Sequence, residues 1–415
     1  MRKMKDSGVA WIGEMPEDWT VKRGKFTLKL LNRPVKETDD VITCFRDGEV
    51  TLRTNRRTDG FTVSVKEIGY QGIEPGDLVI HGMDGFAGSI GISDSRGKSS
   101  PVLVVCDTDE NKRYIMYYLR SMAYNDVFTA LATGIRVRSC DLRWNKLAEL
   151  PYILPSLEEQ NQIVLAIESS TSKVDALIAN VQAQIEKLKT YKQSLITEVV
   201  TKGLDPNVPM KDSGVEWIGE IPSSWNTIRV KQLLRERKER SVDGKEEPLS
   251  MSQKVGLVPT KTLDSIPNMA SSFVGAKLAY VDDLVFNKLK AHLGVFSVSK
   301  YDGLVSPDYA VYYSTGVADL KYLEYLFKTP QCISEFRKRS TGIAAGLTRL
   351  YTDGLFAIEC PFPSKDKQHE IVAHLNKKCA QIDELTAIKQ TKIEKLEQYK
   401  RSLIYEYVTG KKEVS

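Results

Sequence analysis

One segment occurs twice in the chain and constrains its fold more than any other feature. Met4–Trp19 reads MKDSGVAWIGEMPEDW and Met210–Trp225 reads MKDSGVEWIGEIPSSW, so 12 of 16 positions are identical at an offset of 206 residues. A second repeat ends each half, because Ile185–Thr201 matches Ile393–Thr409 at an offset of 208 residues. A repeat period of 206 to 208 residues indicates duplicated domains, because the repeat units of solenoid proteins are far shorter. The chain is therefore expected to fold as two similar halves.

Composition places the chain among globular proteins. Its 415 residues, 41% of them hydrophobic, suffice for two or three domains with buried cores. No apolar run reaches the roughly 18 residues of a membrane span, and the N-terminus lacks the apolar region of a secretion signal, so a cytoplasmic protein is expected. The six cysteines lack CxxC spacing and are interpreted as reduced core thiols. A net charge of +5 permits nucleic-acid binding without predicting it.

Each half begins with short apolar runs between glycine-rich turns, a pattern typical of strands. Such runs occur at Gly76–Ile80 and Ser100–Val105 in the first half and at Asp283–Phe286 in the second. Helical patterns follow in both halves. The predicted fold class is therefore α+β, with two duplicated α/β domains.

From Ser156 the apolar residues follow the alternating steps of four and three that indicate a coiled-coil helix. A second such helix starts at Ser364, with the more polar residues Thr386, Lys389 and Lys400 in its seam. Two helices of matching length are expected to pack antiparallel, which would give the halves an approximate two-fold axis and separate the two domains by a rigid spacer. The predicted seam and partner-binding residues are Val174, Ile178, Val181, Ile185, Leu188, Leu195, Ile382, Ile393, Leu396 and Leu403.

These patterns predict five consecutive segments. The expected boundaries are 1–155 for the first domain with its repeat segment, 156–203 for the first helix, 204–222 for a linker with the second repeat segment, 223–363 for the second domain, and 364–415 for the second helix and tail.

The sequence carries no motif that predicts catalysis, a metal or a cofactor. Gly91–Ser99 resembles a phosphate-binding loop, but five residues separate its glycines where the motif allows four. His369 and His374 are five residues apart and face different sides of a helix, so a zinc pair is not expected. The pairs Asp39-Asp40 and Asp282-Asp283 are interpreted as solvated residues at turns and strand starts. No adenine-methyltransferase motif of the Asn/Asp-Pro-Pro-aromatic kind occurs, so catalytic and metal residues are predicted to be absent.

Basic residues cluster in turn-like segments of both halves and are candidates for DNA binding. Arginine can bind guanine through two hydrogen bonds, asparagine can bind adenine, and any of these cations can hold a phosphate. For each single residue the alternative is a solvated, charged surface. The candidates are Arg53, Asn55, Arg56, Arg57, Arg136, Arg138 and Arg143 in the first half and Lys288, Lys290, Arg337 and Arg339 in the second.

Three motifs carry a family resemblance that covers essentially the whole chain. They are the repeated Asp-Ser-Gly-Val-x-Trp-Ile-Gly-Glu-x-Pro-x-x-Trp, the repeated Ile-Glu-Lys-Leu-x-x-Tyr-Lys-x-Ser-Leu-Ile, and Leu-Val-Ser-Pro-Asp-Tyr at 304–309. With them the chain resembles the specificity subunits of type I restriction-modification systems. The resemblance implies a non-catalytic subunit in which two target-recognition domains each read one half of an interrupted double-stranded DNA target. The two helices would hold these domains apart and dock two modification subunits.

The resemblance also implies which partners carry the chemistry. S-adenosylmethionine would be bound by the modification subunits, while restriction subunits that join the complex would use ATP and magnesium. The chain itself would hold no cofactor. One departure from the shared pattern is Ser100-Pro101-Val102 in the first half against Ser306-Pro307-Asp308-Tyr309 in the second, so contacts at 308 and 309 need not occur in both halves.

Two other functions remain open at this point. The first is a coiled-coil scaffold that binds only proteins, which the divergence of the two strand-rich domains between near-identical segments argues against. The second is a single-chain restriction and modification enzyme, which the short length and the missing methyltransferase motifs argue against.

Overall fold

The chain folds into two compact units, each built from segments that are distant in sequence. The computed structural model describes residues 2–56, 67–130, 142–253, 255–263, 273–342 and 348–414. The first unit consists of Met1–Gln182 and Gln390–Ser415, and the second of Ala183–Lys389. Two long helices, the first long helix Leu157–Lys202 and the second long helix Lys365–Val408, each contribute residues to both units. None of the described helices is long and apolar enough to cross a membrane.

The first unit is built around a four-stranded antiparallel sheet. Its strands lie in the order Lys29–Leu30, Leu103–Asp107, Leu78–His81 and Ile90–Ile92. Smaller antiparallel ladders pair Met4–Asp6 with Glu14–Pro16, Thr20–Arg23 with Pro151–Leu154, Ile42–Cys44 with Val50–Leu52, and Gln71–Ile73 with Gly97–Ser99. The shorter helices of this unit are Lys112–Tyr124, Val127–Ala130 and Trp144–Glu149.

The second unit repeats this topology strand for strand. The strands of its four-stranded sheet lie in the order Leu234–Glu236, Tyr309–Ser314, Leu284–Asn287 and Phe296–Val298. The small ladders pair Met210–Asp212 with Glu220–Pro222, Asn226–Arg229 with Glu359–Phe362, Leu249–Ser252 with Gly256–Pro259, and Lys277–Ala279 with Gly303–Val305. Its shorter helices are Val230–Leu233, Leu320–Phe327, Pro330–Arg339 and Thr352–Phe356. The predicted fold class, with two duplicated α/β domains and two long helices, is confirmed.

The central strands contain continuous apolar runs because both faces of the sheet are covered there. In the first unit Leu78, Val79 and Ile80 have no exposed surface, although neighbouring residues of a strand point to opposite faces. Val79 packs with Ile42 and Ile73 of the small ladders. A sheet covered on both faces needs continuous apolar runs, which explains why the sequence shows no alternation of apolar and polar residues here.

Within each unit the two long helices run side by side in opposite directions. In the first unit Lys400 Nζ lies 2.6 Å from the Asp175 carboxylate, and in the second unit Lys192 Nζ lies 2.7 Å from that of Asp383. These pairs are themselves a repeat, since 400 − 192 and 383 − 175 both equal 208. The basic residues of the polar seam therefore bind polar partners across the helix pair. Lys389 likewise donates to Gln184 Oε1 at 2.5 Å.

The predicted seam residues are buried to different degrees. Those in which less than a tenth of the surface is exposed are Val174, Ile178, Val181, Ile185, Ile382, Ile393 and Leu403. Leu188, Leu195 and Leu396 are partly buried.

Buried polar residues join the sheet domains to the long helices at equivalent positions of the two units. Gln160 and Gln368 have no exposed surface, and each accepts a backbone hydrogen bond from the sheet domain, from Asn111 at 2.9 Å and from Asp319 at 2.7 Å. The Tyr322 hydroxyl lies 2.9 Å from the carbonyl oxygen of Val200, near the end of the first long helix. In the first unit the corresponding Tyr114 hydroxyl lies 3.1 Å from the Val408 carbonyl. Each sheet domain is thus tied to the start of one long helix and to the end of the other.

Candidate nucleic-acid interface

Three loops of the second unit come together beside the ends of the central strands. Asn287 and Tyr309 pair in adjacent antiparallel strands, so the residue after the first strand lies next to the residue before the second. The Lys288 amide accordingly donates to the Asp308 carbonyl at 3.2 Å. The Leu350 amide donates to the Lys288 carbonyl at 3.0 Å, which brings in the segment that contains Arg349. Main-chain hydrogen bonds therefore hold positions 288, 308 and 349 together.

The side chains at these positions carry opposite charges and remain accessible. Arg349 Nη2 lies 3.2 Å from Asp308 Oδ1, with 41% of the arginine side chain and 47% of the aspartate side chain exposed. Lys288 Nζ makes a long contact of 3.4 Å to the Pro307 carbonyl oxygen, and Lys290 is exposed on the same loop. Lys288, Lys290, Asp308 and Arg349 form what we call the second-unit cluster.

Lys277 extends the positive charge of the second-unit cluster toward a neighbouring ladder. Its Nζ donates to the Tyr309 carbonyl at 2.6 Å. Burial lowers the pKa of Lys277, and the nearby positive charges of Lys288 and Arg240 lower it further. The nearby carboxylates of Glu236 and Asp308 act in the opposite direction and raise it.

The first unit has the same main-chain scaffold at the equivalent place. The Leu142 amide donates to the Gly82 carbonyl at 2.9 Å, which corresponds to the bond from Leu350 to Lys288. Gln71 Nε2 donates to the Leu103 carbonyl at 3.2 Å, where Lys277 donates to Tyr309 in the second unit. The two units therefore present corresponding loops on one design of backbone.

The side chains on that scaffold differ between the units. At the offset of 206 residues, Lys277, Lys288, Lys290 and Asp308 correspond to Gln71, Gly82, Asp84 and Val102. Three lysines are thus replaced by a neutral residue, a glycine and an acid. The two units therefore present different chemical groups at these positions.

Three of the predicted DNA-binding residues of the first unit lie directly after the hairpin formed by Ile42–Cys44 and Val50–Leu52. Arg53 Nε donates to Thr43 Oγ1 at 3.3 Å, and Asn55 Nδ2 donates to Thr51 Oγ1 at 2.8 Å. Arg56 binds the carboxylates of Asp47 and Glu49 at 2.7 and 2.8 Å. The structure brings the three residues together, but DNA would have to compete with these internal partners.

The other predicted DNA-binding residues lie in different parts of the two units or outside the described residues. Arg143 immediately precedes the helix Trp144–Glu149, whereas Arg57, Arg136 and Arg138 lie outside the described residues. Arg337 and Arg339 lie in the last turn of Pro330–Arg339, where a positive charge favours the negative end of the helix dipole. Arg339 Nε lies 3.5 Å from Glu335 Oε2, so helix stabilisation already accounts for part of its role.

Sequence reasoning missed Lys277 and Arg349 as candidates. Neither belongs to a basic run, and Arg349 is 41 residues from its partner Asp308. The only signal was the Ser-Pro-Asp-Tyr motif, which marked position 308 without showing what it contacts.

The interpretation of the acidic pairs as solvated residues is wrong for one member of each pair. Asp39 and Asp283 are buried, and each is bound by an arginine, Arg96 at 2.7 Å and Arg237 at 2.7 Å. The hydrogen bond from Arg96 lowers the pKa of Asp39 to about 2. These carboxylates stabilise the fold. Among the described residues, no three or more His, Cys, Asp or Glu side chains are arranged to hold a metal ion.

Comparison with known proteins extends the likeness over both halves of the chain. No protein-family model matches the chain. It is 24% identical over 429 residues to the putative type I restriction enzyme MjaX specificity subunit of Methanocaldococcus jannaschii, covering 96% of this chain and 95% of the relative. It is 22% identical over 420 residues to the type I restriction enzyme MjaVIII specificity subunit of the same organism, covering 96% and 93%. The expected resemblance to type I specificity subunits is confirmed.

Solved structures share the fold. A chain from a structure described as "Structural basis underlying complex assembly and conformational transition of the type I R-M system" matches with a TM-score of 0.67 and 14% identity, covering 95% of this chain and 99% of that one. The HsdS subunit from Thermoanaerobacter tengcongensis matches with a TM-score of 0.50 and 16% identity, covering 95% and 98%. At these identities the structural matches bear on the fold alone.

Proposed function

We propose that the chain, a relative of type I restriction specificity subunits along its whole length, is the DNA-reading subunit of such a complex. Each unit would read one half of an interrupted double-stranded target. The observation that carries this proposal is the shared scaffold with different side chains, in which Gly82 and Val102 of one unit stand where Lys288 and Asp308 stand in the other.

A common scaffold with exchanged side chains suits the reading of two different sequences. Base readout depends on which donors and acceptors reach the groove edges, whereas the backbone only has to place the loops against the duplex. A protein that merely bridged other proteins would have no need for two strand-rich domains with different loop chemistry. The two-unit arrangement therefore favours DNA reading over the scaffold alternative.

Exposed apolar residues on the long helices support docking of two protein partners. Leu177 and Tyr399 lie on the helix pair of the first unit, and Leu385 and Tyr191 occupy the equivalent positions of the second. About half of each side chain is exposed. A single exposed apolar residue is ordinary, but the same residue type at the same position in both copies favours a repeated docking site. We propose that each site binds one modification subunit.

The chemistry of the complex would then belong to the partners. The modification subunits would bind S-adenosylmethionine and methylate the target, and restriction subunits would use ATP and magnesium. The chain would contribute the choice of sequence and no catalysis.

Methylation assays test this division of labour. The purified chain with S-adenosylmethionine should transfer no methyl group to DNA, and addition of the cognate modification subunit should produce methylation of one interrupted motif. Sequencing of methylated positions in genomic DNA measures both results. Methyl transfer by the rigorously purified chain alone would contradict the proposal, and so would a motif without two separated halves.

The docking sites predict a stepwise loss of partners. Tyr191→Glu or Tyr399→Glu alone should leave one modification subunit bound, and the double variant should leave none, because a charge at the centre of an apolar contact weakens binding by roughly 30-fold or more. Native mass spectrometry of the purified complex measures the stoichiometry. Glu394→Gln changes an exposed residue of the second long helix and serves as the control. Two bound subunits in the double variant would contradict the assigned sites.

A further inference from the structure

We propose that Arg349, positioned by Asp308, reads a guanine base in the half-site bound by the second unit. This inference rests on the proposed function and adds to it the residue that sets specificity and the chemistry of the base that it recognises.

The arginine is anchored at its main chain and along one edge of its side chain. Its amide donates to the Thr341 carbonyl at 2.8 Å and its carbonyl accepts from the Thr341 amide at 3.0 Å, so the backbone is fixed in a short antiparallel bridge. Asp308 holds Nη2 at 3.2 Å. Nε is buried and has no hydrogen-bond partner among the described residues. The accessible part of the guanidinium is therefore its outer end, which carries Nη1 and Nη2.

This outer end presents two parallel N–H donors, the arrangement that binds the O6 and N7 acceptors of guanine in the major groove. Specific readout requires the guanidinium plane to be fixed before DNA arrives, since a freely rotating arginine would accept several partners. The carboxylate of Asp308 supplies that constraint. Asp308 is thus a positioning residue that acts through Arg349.

Charge favours a base over a phosphate as the partner of Arg349. The negative charge of Asp308 offsets that of the guanidinium and would repel a phosphate at the same place, whereas the guanine edge is neutral and only needs aligned donors. Lys288 and Lys290 have no carboxylate partner among the described residues and lie on the adjacent loop. They suit phosphates, which attract any unpaired cation.

The first unit has no counterpart of the positioning residue Asp308. Val102 stands at the position of Asp308 and cannot hold an arginine, and Gly82 at the position of Lys288 has no side chain. The effect of losing Arg349 should therefore be confined to one half of the target.

Variants of this pair, expressed with the modification subunit, test the inference by sequencing the methylated motif. Arg349→Ala and Asp308→Ala should each relax discrimination at the same single base pair of one half-site by about tenfold or more, the value of one two-bond contact to a base. The double variant should be no more relaxed than either single variant, because both remove the same contact. Arg349→Lys should behave like Arg349→Ala, and Asp308→Glu should restore part of the discrimination.

The controls separate this role from structural or phosphate roles. Arg229→Ala removes an exposed arginine that pairs with Glu359 at 3.1 Å elsewhere in the second unit, and the motif should stay unchanged. Methylation retained at the other half-site shows that each variant is folded, and Arg349→Lys serves where the alanine variant does not fold. Uniform weakening at all positions, an unchanged motif, or a change in the other half-site would overturn the inference. A wild-type complex that methylates no interrupted motif would instead overturn the proposed function.

Discussion

Replacing Phe286 by alanine is expected to lower the free energy of unfolding of the second unit by about 3–5 kcal/mol. Phe286 lies in the central strand Leu284–Asn287 and is almost fully buried. Its ring stacks on Phe296 with centroids 4.4 Å apart and meets the edges of Phe327 and Phe336 at 6.0 and 5.8 Å. Alanine would remove the contacts of the Phe286 ring with these three rings and leave a cavity that the surrounding strands and helices can fill only in part.

Hydrogen exchange at the amides of Leu284–Asn287 is the appropriate measurement, because a chain with two units need not unfold in one step. The same substitution at the exposed Phe26 of the first unit should change stability by no more than about 0.5 kcal/mol. If Phe286→Ala protected these amides as well as the wild type does, the aromatic cluster would not be the core of the second unit.

The repeats and the apolar runs were sufficient to predict the fold class. Asp77-Leu-Val and Asp283-Leu-Val predicted central strands, and the strands Leu78–His81 and Leu284–Asn287 begin one residue after each aspartate. Steps of four and three residues predicted the two long helices. These features are local, since each depends on the spacing of residues within about one element.

Which segments of the chain make up each compact unit depends on contacts between residues that are far apart in sequence. Tyr114 reaches the carbonyl of Val408, 294 residues away, and Tyr322 reaches that of Val200, 122 residues away. No periodicity in the sequence encodes which helix end meets which domain. The expected boundaries at 155, 203, 222 and 363 describe the chain in sequence order and remain a prediction of how it divides functionally.

The candidate site was predictable only as a set of charges. Basic residues on turns pointed to Lys288 and Lys290, but a turn pattern does not reveal which cations already have partners. Arg56 is bound by Asp47 and Glu49, and Arg339 lies close to Glu335. Arg349 was missed for a different reason, because it lies outside every basic run of the sequence. The pairing of Asp308 with Arg349 could be found only from the tertiary structure. Their two loops come together because main-chain hydrogen bonds tie each of them to a third loop, which contains Lys288.

The central claim is that each unit independently reads one half of the target. The two recognition domains can be exchanged, because each one is inserted between the strands of an equivalent ladder. These ladders are Thr20–Arg23 with Pro151–Leu154 and Asn226–Arg229 with Glu359–Phe362. Residues 24–150 can therefore replace residues 230–358 with the flanking ladders and both long helices unchanged.

The most direct measurement is the methylated motif of a complex that contains this chimera and the cognate modification subunit. The half-site of the first unit should be retained, and the other half should change to the same bases, so that both halves of the motif carry one sequence. Discrimination that depends on Arg349 should vanish with the replaced domain. An active chimera that still methylates the original two-part motif, or one in which the half-site of the first unit also changes, would contradict independent reading by the two units.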